Sequence, residues 1–78
     1  MPKIPIVKAY DFLNLIVKYG CEKISVRGSH HKMFNPQTGK TSIVSIHGGC
    51  DVDKGSFAGA LSQLGIDIDD FLDFMKNN

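Results

Sequence analysis

Residues 23–46 carry the pattern that most constrains the fold, because short runs of alternating side chains are separated there by turn residues. A side-chain period of two is typical of β-strands. The pattern predicts strands at residues 23–27, 31–34 and 40–46. The intervening turns are Gly28-Ser29 and residues 35–39, where Pro36 and Gly39 supply turn geometry. Three strands joined by such short turns are expected to form an antiparallel meander.

Apolar residues at helical spacing flank this segment on both sides, which predicts one helix before the strands and two after them. The stripes are Ala9, Phe12, Leu13, Ile16 and Val17, then Phe57, Ala60, Leu61 and Leu64, and finally Ile68, Phe71, Leu72 and Met75. The first helix is expected at about residues 7–19, ending at Gly20, and the second ends at Gly65. Asp67 is a suitable N-cap for the third. The predicted fold class is α+β in the order α-β-β-β-α-α, a three-stranded antiparallel sheet packed on helices.

The size and composition of the chain limit what it can be. With 78 residues, 42% of them hydrophobic and 22% charged, residues 1–78 fit one small folded domain and do not fit a disordered chain. No apolar run approaches the roughly 18 residues that span a bilayer. The N-terminal residues do not resemble a signal peptide, so we expect a cytoplasmic protein without membrane contact.

The charge is distributed unevenly along the chain. Residues 1–50 carry seven Lys or Arg against two acidic residues, a net charge of +5, whereas residues 51–78 carry two Lys against six Asp, a net charge of −4. A basic half is compatible with a surface that meets a polyanion. On charge alone, the favoured interpretation is a solvated surface on which the signs happen to segregate. Since several aspartates fall where helices begin, they have a structural use.

Few residues offer catalytic chemistry. Glu22 is the only glutamate, and the sequence has no CxxC, HExxH, Walker or GxSxG motif. The histidines and Cys21 and Cys50 have no recognisable metal-ligand spacing, so we expect neither a metal site nor another cofactor. Two cysteines do not make a disulfide framework, which favours reduced thiols.

The segment from Arg27 to Lys32 is the exception, because it places two imidazoles on a tight turn between basic residues. A histidine titrates near neutral pH and can take the proton of an RNA 2′-hydroxyl or return one to a leaving oxygen. Successive residues on a strand face opposite sides, so at most one of His30 and His31 is expected at a shared site. His47 ends the third strand and is either a loop residue or a neighbour of the second strand.

Other residues of this segment suit a phosphate group. Gly28 lets a backbone approach a ligand closely, and Ser29 adds a hydroxyl and a turn N–H. Arg27, Lys32 and Lys40 supply positive charge for phosphate binding. A histidine together with these phosphate-binding residues is the minimum set for metal-independent RNA cleavage. A histidine on a β-turn is nevertheless most often a solvated polar residue.

The ordered motifs resemble the HicA family of toxin mRNA interferases over about residues 8–73. The motifs are Tyr19-Gly20, Gly28-Ser29-His30, the strand end Ile46-His47-Gly48, Lys54-Gly55-Ser56 and Gln63-Leu64-Gly65. The resemblance implies a fold similar to double-stranded-RNA-binding domains, mRNA cleavage without metal, and a HicB-type antitoxin partner that covers the catalytic face. It also implies that His30 is the catalytic histidine, with His31 as the reserve candidate.

One departure from the family bears on RNA affinity. The helix after Lys54 carries no Lys or Arg from residue 56 to residue 66, where basic residues are common in the family. Fewer phosphate contacts mean weaker electrostatic attraction to RNA. Two alternatives therefore stay open, a module that binds RNA without cutting it and a module that binds only a protein. We expect the free chain to be a monomer.

Overall fold

The computed structural model describes residues 4–46 and 49–77. Its elements in chain order are β1 (Val7–Lys8), α1 (Ala9–Tyr19), β2 (Glu22–Arg27), β3 (His30–Asn35), β4 (Lys40–Ser45), β5 (Asp51–Val52), α2 (Lys54–Gln63) and α3 (Ile68–Lys76). Strands β2, β3 and β4 form an antiparallel sheet in that order, and α2 packs against β4. The predicted α+β class and its α-β-β-β-α-α order are confirmed.

The start of the first helix differs from the prediction. Residues Val7 and Lys8 pair with Val52 and Asp51 in a small antiparallel ladder formed by β1 and β5. The helix therefore begins two residues later than expected, at Ala9, whose backbone N–H donates to the Cys50 carbonyl oxygen at 3.0 Å. An ion pair of 3.1 Å between Lys8 Nζ and Asp51 Oδ1 lies across the ladder. Strands of two residues are too short to show a side-chain period, so the sequence pattern did not reveal them.

A cluster of phenylalanine rings joins the three helices. Phe12 of α1, Phe57 of α2 and Phe71 of α3 are all fully buried. The rings of Phe12 and Phe57 stack with their centroids 4.7 Å apart, and Phe71 meets both edge-on at 6.1 and 5.8 Å. Edge-to-face and offset-stacked rings at such separations attract one another beyond their area burial. The predicted apolar stripes thus meet in one core, to which β3 and β4 add Met33 and Val44.

Hydrogen bonds connect the end of α2 to the turn between β3 and β4. The Leu64 carbonyl oxygen accepts from Asn35 Nδ2 at 2.9 Å and from Thr38 Oγ1 at 2.8 Å. Gly65 follows with a φ of 72° and lies close against Thr38. Because carbonyls at a helix C-terminus lack partners within the helix, these bonds satisfy a group that would otherwise be orphaned. They hold α2 at a fixed position against the sheet.

The other face of the sheet is open. Along β4, Ser42 and Val44 are buried whereas Thr41, Ile43 and Ser45 are exposed, as expected for a strand covered on one side only. Ile43 keeps 60% of its surface accessible to solvent. We call this exposed side the open face; α1, α2 and α3 form the helical layer on the other side.

The third helix begins as predicted at Asp67, whose carboxylate accepts hydrogen bonds from the backbone N–H groups of Asp69 at 2.9 Å and Asp70 at 3.2 Å. Side-chain capping of this kind satisfies two donors that the helix itself cannot. Among the described residues, each helix is too short or too polar to cross a lipid bilayer.

Candidate functional site

A two-residue hairpin loop joins β2 to β3. Arg27 pairs with His30 across it, which leaves Gly28 and Ser29 as the loop. Gly28 has a φ of 61°, while Ser29 keeps a negative φ. Glycine at the first loop position is the signature of a type II′ turn, whose twist matches that of antiparallel strands. The hairpin therefore makes His30 the first residue of β3 and sets it directly across from Arg27.

The strand register decides which side chains share the open face with His30. Cross-strand partners lie on the same face, and so do residues two apart along a strand. His30 pairs with Arg27 in β2 and with Ser45 in β4. Lys32 lies two residues further along β3 and pairs with Ile43. The imidazole, two cations, a hydroxyl and an aliphatic side chain are therefore neighbours on one surface.

A hollow of about 470 Å³ lies on this surface. Its lining residues are Ser25, Val26, Arg27, His30, Lys32 and Ile43. Within the part of the chain that is described, the lining holds two cations and one imidazole but no carboxylate. A phosphate group would meet only attractive charges there, with the imidazole on the same surface.

The remaining predicted phosphate ligands occupy different positions. Ser29 is half-buried in the hairpin loop, where its carbonyl oxygen accepts from the Ile46 backbone N–H at 2.7 Å. Lys40 pairs with Asn35 at the far end of β4, five residue pairs from His30. At about 3.4 Å per residue this is about 17 Å along the strand. The structure brings Arg27, Gly28, Ser29, His30 and Lys32 together and places Lys40 apart from them.

His31 lies on the opposite side of the sheet from His30. Its partners across the strands are Val26 and the buried Val44, and its own side chain is half-buried. The Nδ1 atom of His31 is buried and has no hydrogen-bond partner among the described residues. A buried polar atom without a partner is unfavourable for stability. The two adjacent histidines therefore occupy different environments, as the strand alternation predicts.

Ser45 is a neighbour of His30 that the sequence analysis did not identify. Its Oγ lies 3.4 Å from Nδ1 of His30, and both side chains are exposed. The signal that would have found it is the register between β3 and β4. That register depends on the geometry of the turn at 36–39, which the residue types in the turn do not determine on their own.

A second hollow, of about 390 Å³, lies between β4 and α2 and differs in charge. Its described lining includes Asp51 and Asp53 and contains no cation. Hydrogen bonds from Ser56 to the Asp53 carboxylate, at 2.6 Å from Oγ and 3.0 Å from the backbone N–H, lower the pKa of Asp53. Asp53 thus stays ionised as the N-cap of α2. Two carboxylates would repel a phosphate, so the hollow beside His30 is the better candidate for RNA.

The sequence analysis also considered His47, a metal site and the two cysteines. His47 and Gly48 lie outside the described residues. The described part of the chain contains no group of three or more His, Cys, Asp or Glu side chains arranged to hold a metal ion. Cys21 is buried, and burial raises the pKa of its thiol, whereas Cys50 is exposed.

Comparison with known proteins identifies the family. Residues 9–66 of the 78 match the family described as HicA toxin of bacterial toxin-antitoxin. The match begins at the first residue of α1 and ends at Ile66, so it includes the sheet, the His30 hairpin and α2, and excludes α3. No curated protein and no solved structure matches the chain. The chain belongs to the HicA toxin family of bacterial toxin–antitoxin modules.

Proposed function

We propose that this toxin is an endoribonuclease that cuts mRNA in the cytoplasm without a metal ion or other cofactor, and that His30 transfers the proton. One observation carries the proposal: His30 is exposed and lines the hollow of the open face together with Arg27 and Lys32. This arrangement supplies a proton-transfer group and positive charge at one phosphodiester. His31 is not used, because it lies on the covered side of the sheet with a buried Nδ1.

The reaction that fits this site is attack by the 2′-hydroxyl on the adjacent phosphorus. His30 takes the 2′-hydroxyl proton while the O2′–P bond forms and the P–O5′ bond breaks. The resulting imidazolium, or a water molecule, returns a proton to the departing 5′ oxygen. The products are a 2′,3′-cyclic phosphate and a 5′-hydroxyl end. Proton transfer by one histidine accelerates a reaction by about 10²–10⁴-fold, so we expect the turnover of this enzyme to be modest.

The cations stabilise the charge that develops on the phosphate. Arg27 lies directly across from His30, and Lys32 lies two residues further along β3 on the same face. Gly28 and Ser29 shape the loop, with Ser29 offering a hydroxyl and a backbone N–H to a phosphate oxygen. Lys40, about 17 Å away along the strand, pairs with the buried Asn35 and so lies on the covered side of the sheet, and we propose no phosphate contact for it at this site.

Family membership implies an antitoxin partner, and we propose that it is a HicB-type protein that covers the open face. This face combines the cations with the aliphatic side chain of Ile43, which pairs with Lys32 and is 60% exposed. An exposed aliphatic group beside positive charge suits a protein with a complementary acidic and apolar surface. Binding there would exclude RNA from His30. The free toxin is proposed to be a monomer.

Inducing the chain in a bacterium tests the function. Wild type is expected to arrest growth and degrade messages on a northern blot, whereas soluble, folded His30→Ala does neither. If His31→Ala abolishes the effect instead, the catalytic residue is the neighbouring histidine.

A well-folded wild type that leaves messages intact would contradict the ribonuclease proposal. Filter binding of RNA at two salt concentrations then separates the alternatives. Salt-dependent binding supports an RNA-binding module, and no binding supports a module that contacts only protein.

A further inference from the structure

We propose that Ser45 positions His30 for proton transfer, by accepting a hydrogen bond from Nδ1–H so that Nε2 is the nitrogen that exchanges the proton with RNA. The proposal rests on the ribonuclease function proposed above. It concerns a residue on a different strand from the histidine hairpin, and it assigns separate tasks to the two ring nitrogens of His30.

The first support is the contact itself. Ser45 Oγ lies 3.4 Å from His30 Nδ1. This is the only hydrogen bond to the His30 side chain within the described residues. The distance is long for a hydrogen bond of this type. Catalytic hydrogen bonds are often long in unliganded enzymes and shorten when the substrate binds.

The second support is the register, which brings the two side chains together independently of their rotamers. The Ile46 backbone N–H donates to the Ser29 carbonyl oxygen at 2.7 Å, so Ser29 and Ile46 form a hydrogen-bonded pair. Hydrogen-bonded and non-hydrogen-bonded pairs alternate along antiparallel strands. His30 and Ser45 are the next pair and therefore belong to the non-hydrogen-bonded kind, in which side chains approach most closely.

The polarity of the bond follows from the chemistry. A general base needs a lone pair on the nitrogen that faces the substrate, and a neutral imidazole has one such nitrogen. If Nδ1–H donates to Ser45 Oγ, the lone pair is on Nε2. After Nε2 takes the 2′-hydroxyl proton, Nδ1–H still donates to Oγ, so the same contact serves the imidazolium. The serine hydroxyl can rotate to present its lone pair and donate its own proton to water.

Cleavage kinetics give the first test. Purified Ser45→Ala is expected to cut a synthetic RNA with kcat about fivefold lower, the factor that corresponds to losing one neutral hydrogen bond. Its KM should be unchanged, because Oγ bonds to the histidine and not to RNA. Ser45→Thr keeps Oγ and should restore the rate. Thr41→Ala is the matched control, since Thr41 is exposed on the same face of the same strand and pairs with Phe34.

A spectroscopic readout separates positioning from general folding. Nitrogen-15 NMR of the imidazole shows which ring nitrogen carries the proton, and comparison with His30→Ala assigns the signal. We expect Nδ1–H in wild type, and a shift toward Nε2–H in Ser45→Ala but not in Ser45→Thr. Equal kcat and an equal tautomer ratio in wild type and Ser45→Ala would overturn this proposal while leaving the ribonuclease function intact. A wild type that does not cut RNA would overturn the ribonuclease function. The comparison of tautomers between wild type and Ser45→Ala would then still test whether Ser45 Oγ accepts from Nδ1–H of His30.

Discussion

At the residue scale, the alternation of β3 separates two identical side chains that are adjacent in sequence. His30 opens onto the hollow with Arg27 and Lys32, whereas His31 turns its Nδ1 into the covered side of the sheet. Only His30 can reach a phosphate on the open face. The difference between them is one of position alone, because their covalent chemistry is the same.

The buried Nδ1 of His31 leads to a prediction about stability. Replacing a buried polar group that lacks a partner with an apolar side chain of similar size is neutral or stabilising. His31→Leu is therefore expected to keep RNA cleavage and to raise the free energy of unfolding by about 0–1 kcal/mol in urea denaturation. His31→Asn serves as the control, because it keeps a polar side chain and should gain nothing. Loss of cleavage in a folded His31→Leu would move the catalytic role to His31.

At the element scale, much of the architecture could be predicted from side-chain periodicity. The three strands, the three helices and the Asp67 cap are where the pattern indicates, since each is long enough to show its period. The β1–β5 ladder could not be predicted, because two-residue strands have no period and their pairing joins residues far apart in sequence. Ser45 was missed for a related reason. Its place beside His30 depends on a strand register that is fixed by three-dimensional turn geometry.

The contact between α2 and the β3–β4 turn gives a prediction at this scale. Gly65 has a φ of 72°, and a Cβ there would lie 2.9 Å from Thr38 Cγ2. Gly65→Ala therefore adds a steric clash to the backbone strain of about 1–2 kcal/mol that an L-residue meets at positive φ. Gly39→Ala is the matched control, because Gly39 has the same φ of 72° with nothing within 4 Å of the added Cβ.

Urea denaturation should show a larger loss of stability for Gly65→Ala than for Gly39→Ala. Thr38→Ser removes the clashing methyl group and keeps the hydroxyl that donates to the Leu64 carbonyl oxygen. Combined with Gly65→Ala, it should recover part of the lost stability as a coupling between the two sites. Equal losses in the two alanine variants, with no recovery in the double variant, would show that the contact does not constrain α2.

At the scale of the whole molecule, the charges at the His30 hairpin and at the start of α3 have opposite signs. Arg27 and Lys32 lie on the open face, whereas Asp67, Asp69 and Asp70 lie at the start of α3 in the helical layer. The net charge of +1 therefore understates the attraction of the open face for a polyanion. The helical layer offers RNA little, since its acidic end repels phosphates.

This distribution predicts how RNA binding depends on salt. Two phosphate contacts to a single strand give a slope of about −1.4 in a plot of log K against log salt concentration. Arg27→Ala should reduce the magnitude of the slope by about 0.7, which is the loss of one contact. Lys76→Ala, at the end of α3, is the control and should leave the slope unchanged. A slope that Arg27→Ala does not alter would place the RNA elsewhere on the molecule.

The most direct measurement for the central claim is cleavage of a synthetic RNA by purified protein in the presence of EDTA. Wild type is expected to cut under these conditions and to leave 2′,3′-cyclic phosphate and 5′-hydroxyl ends. His30→Ala, shown to be folded by circular dichroism, should cut at least about 10²-fold more slowly, whereas His31→Ala stays active. Undiminished cleavage by His30→Ala, or a wild type that leaves 3′-hydroxyl and 5′-phosphate ends, would contradict the assignment of His30 as the group that transfers the proton.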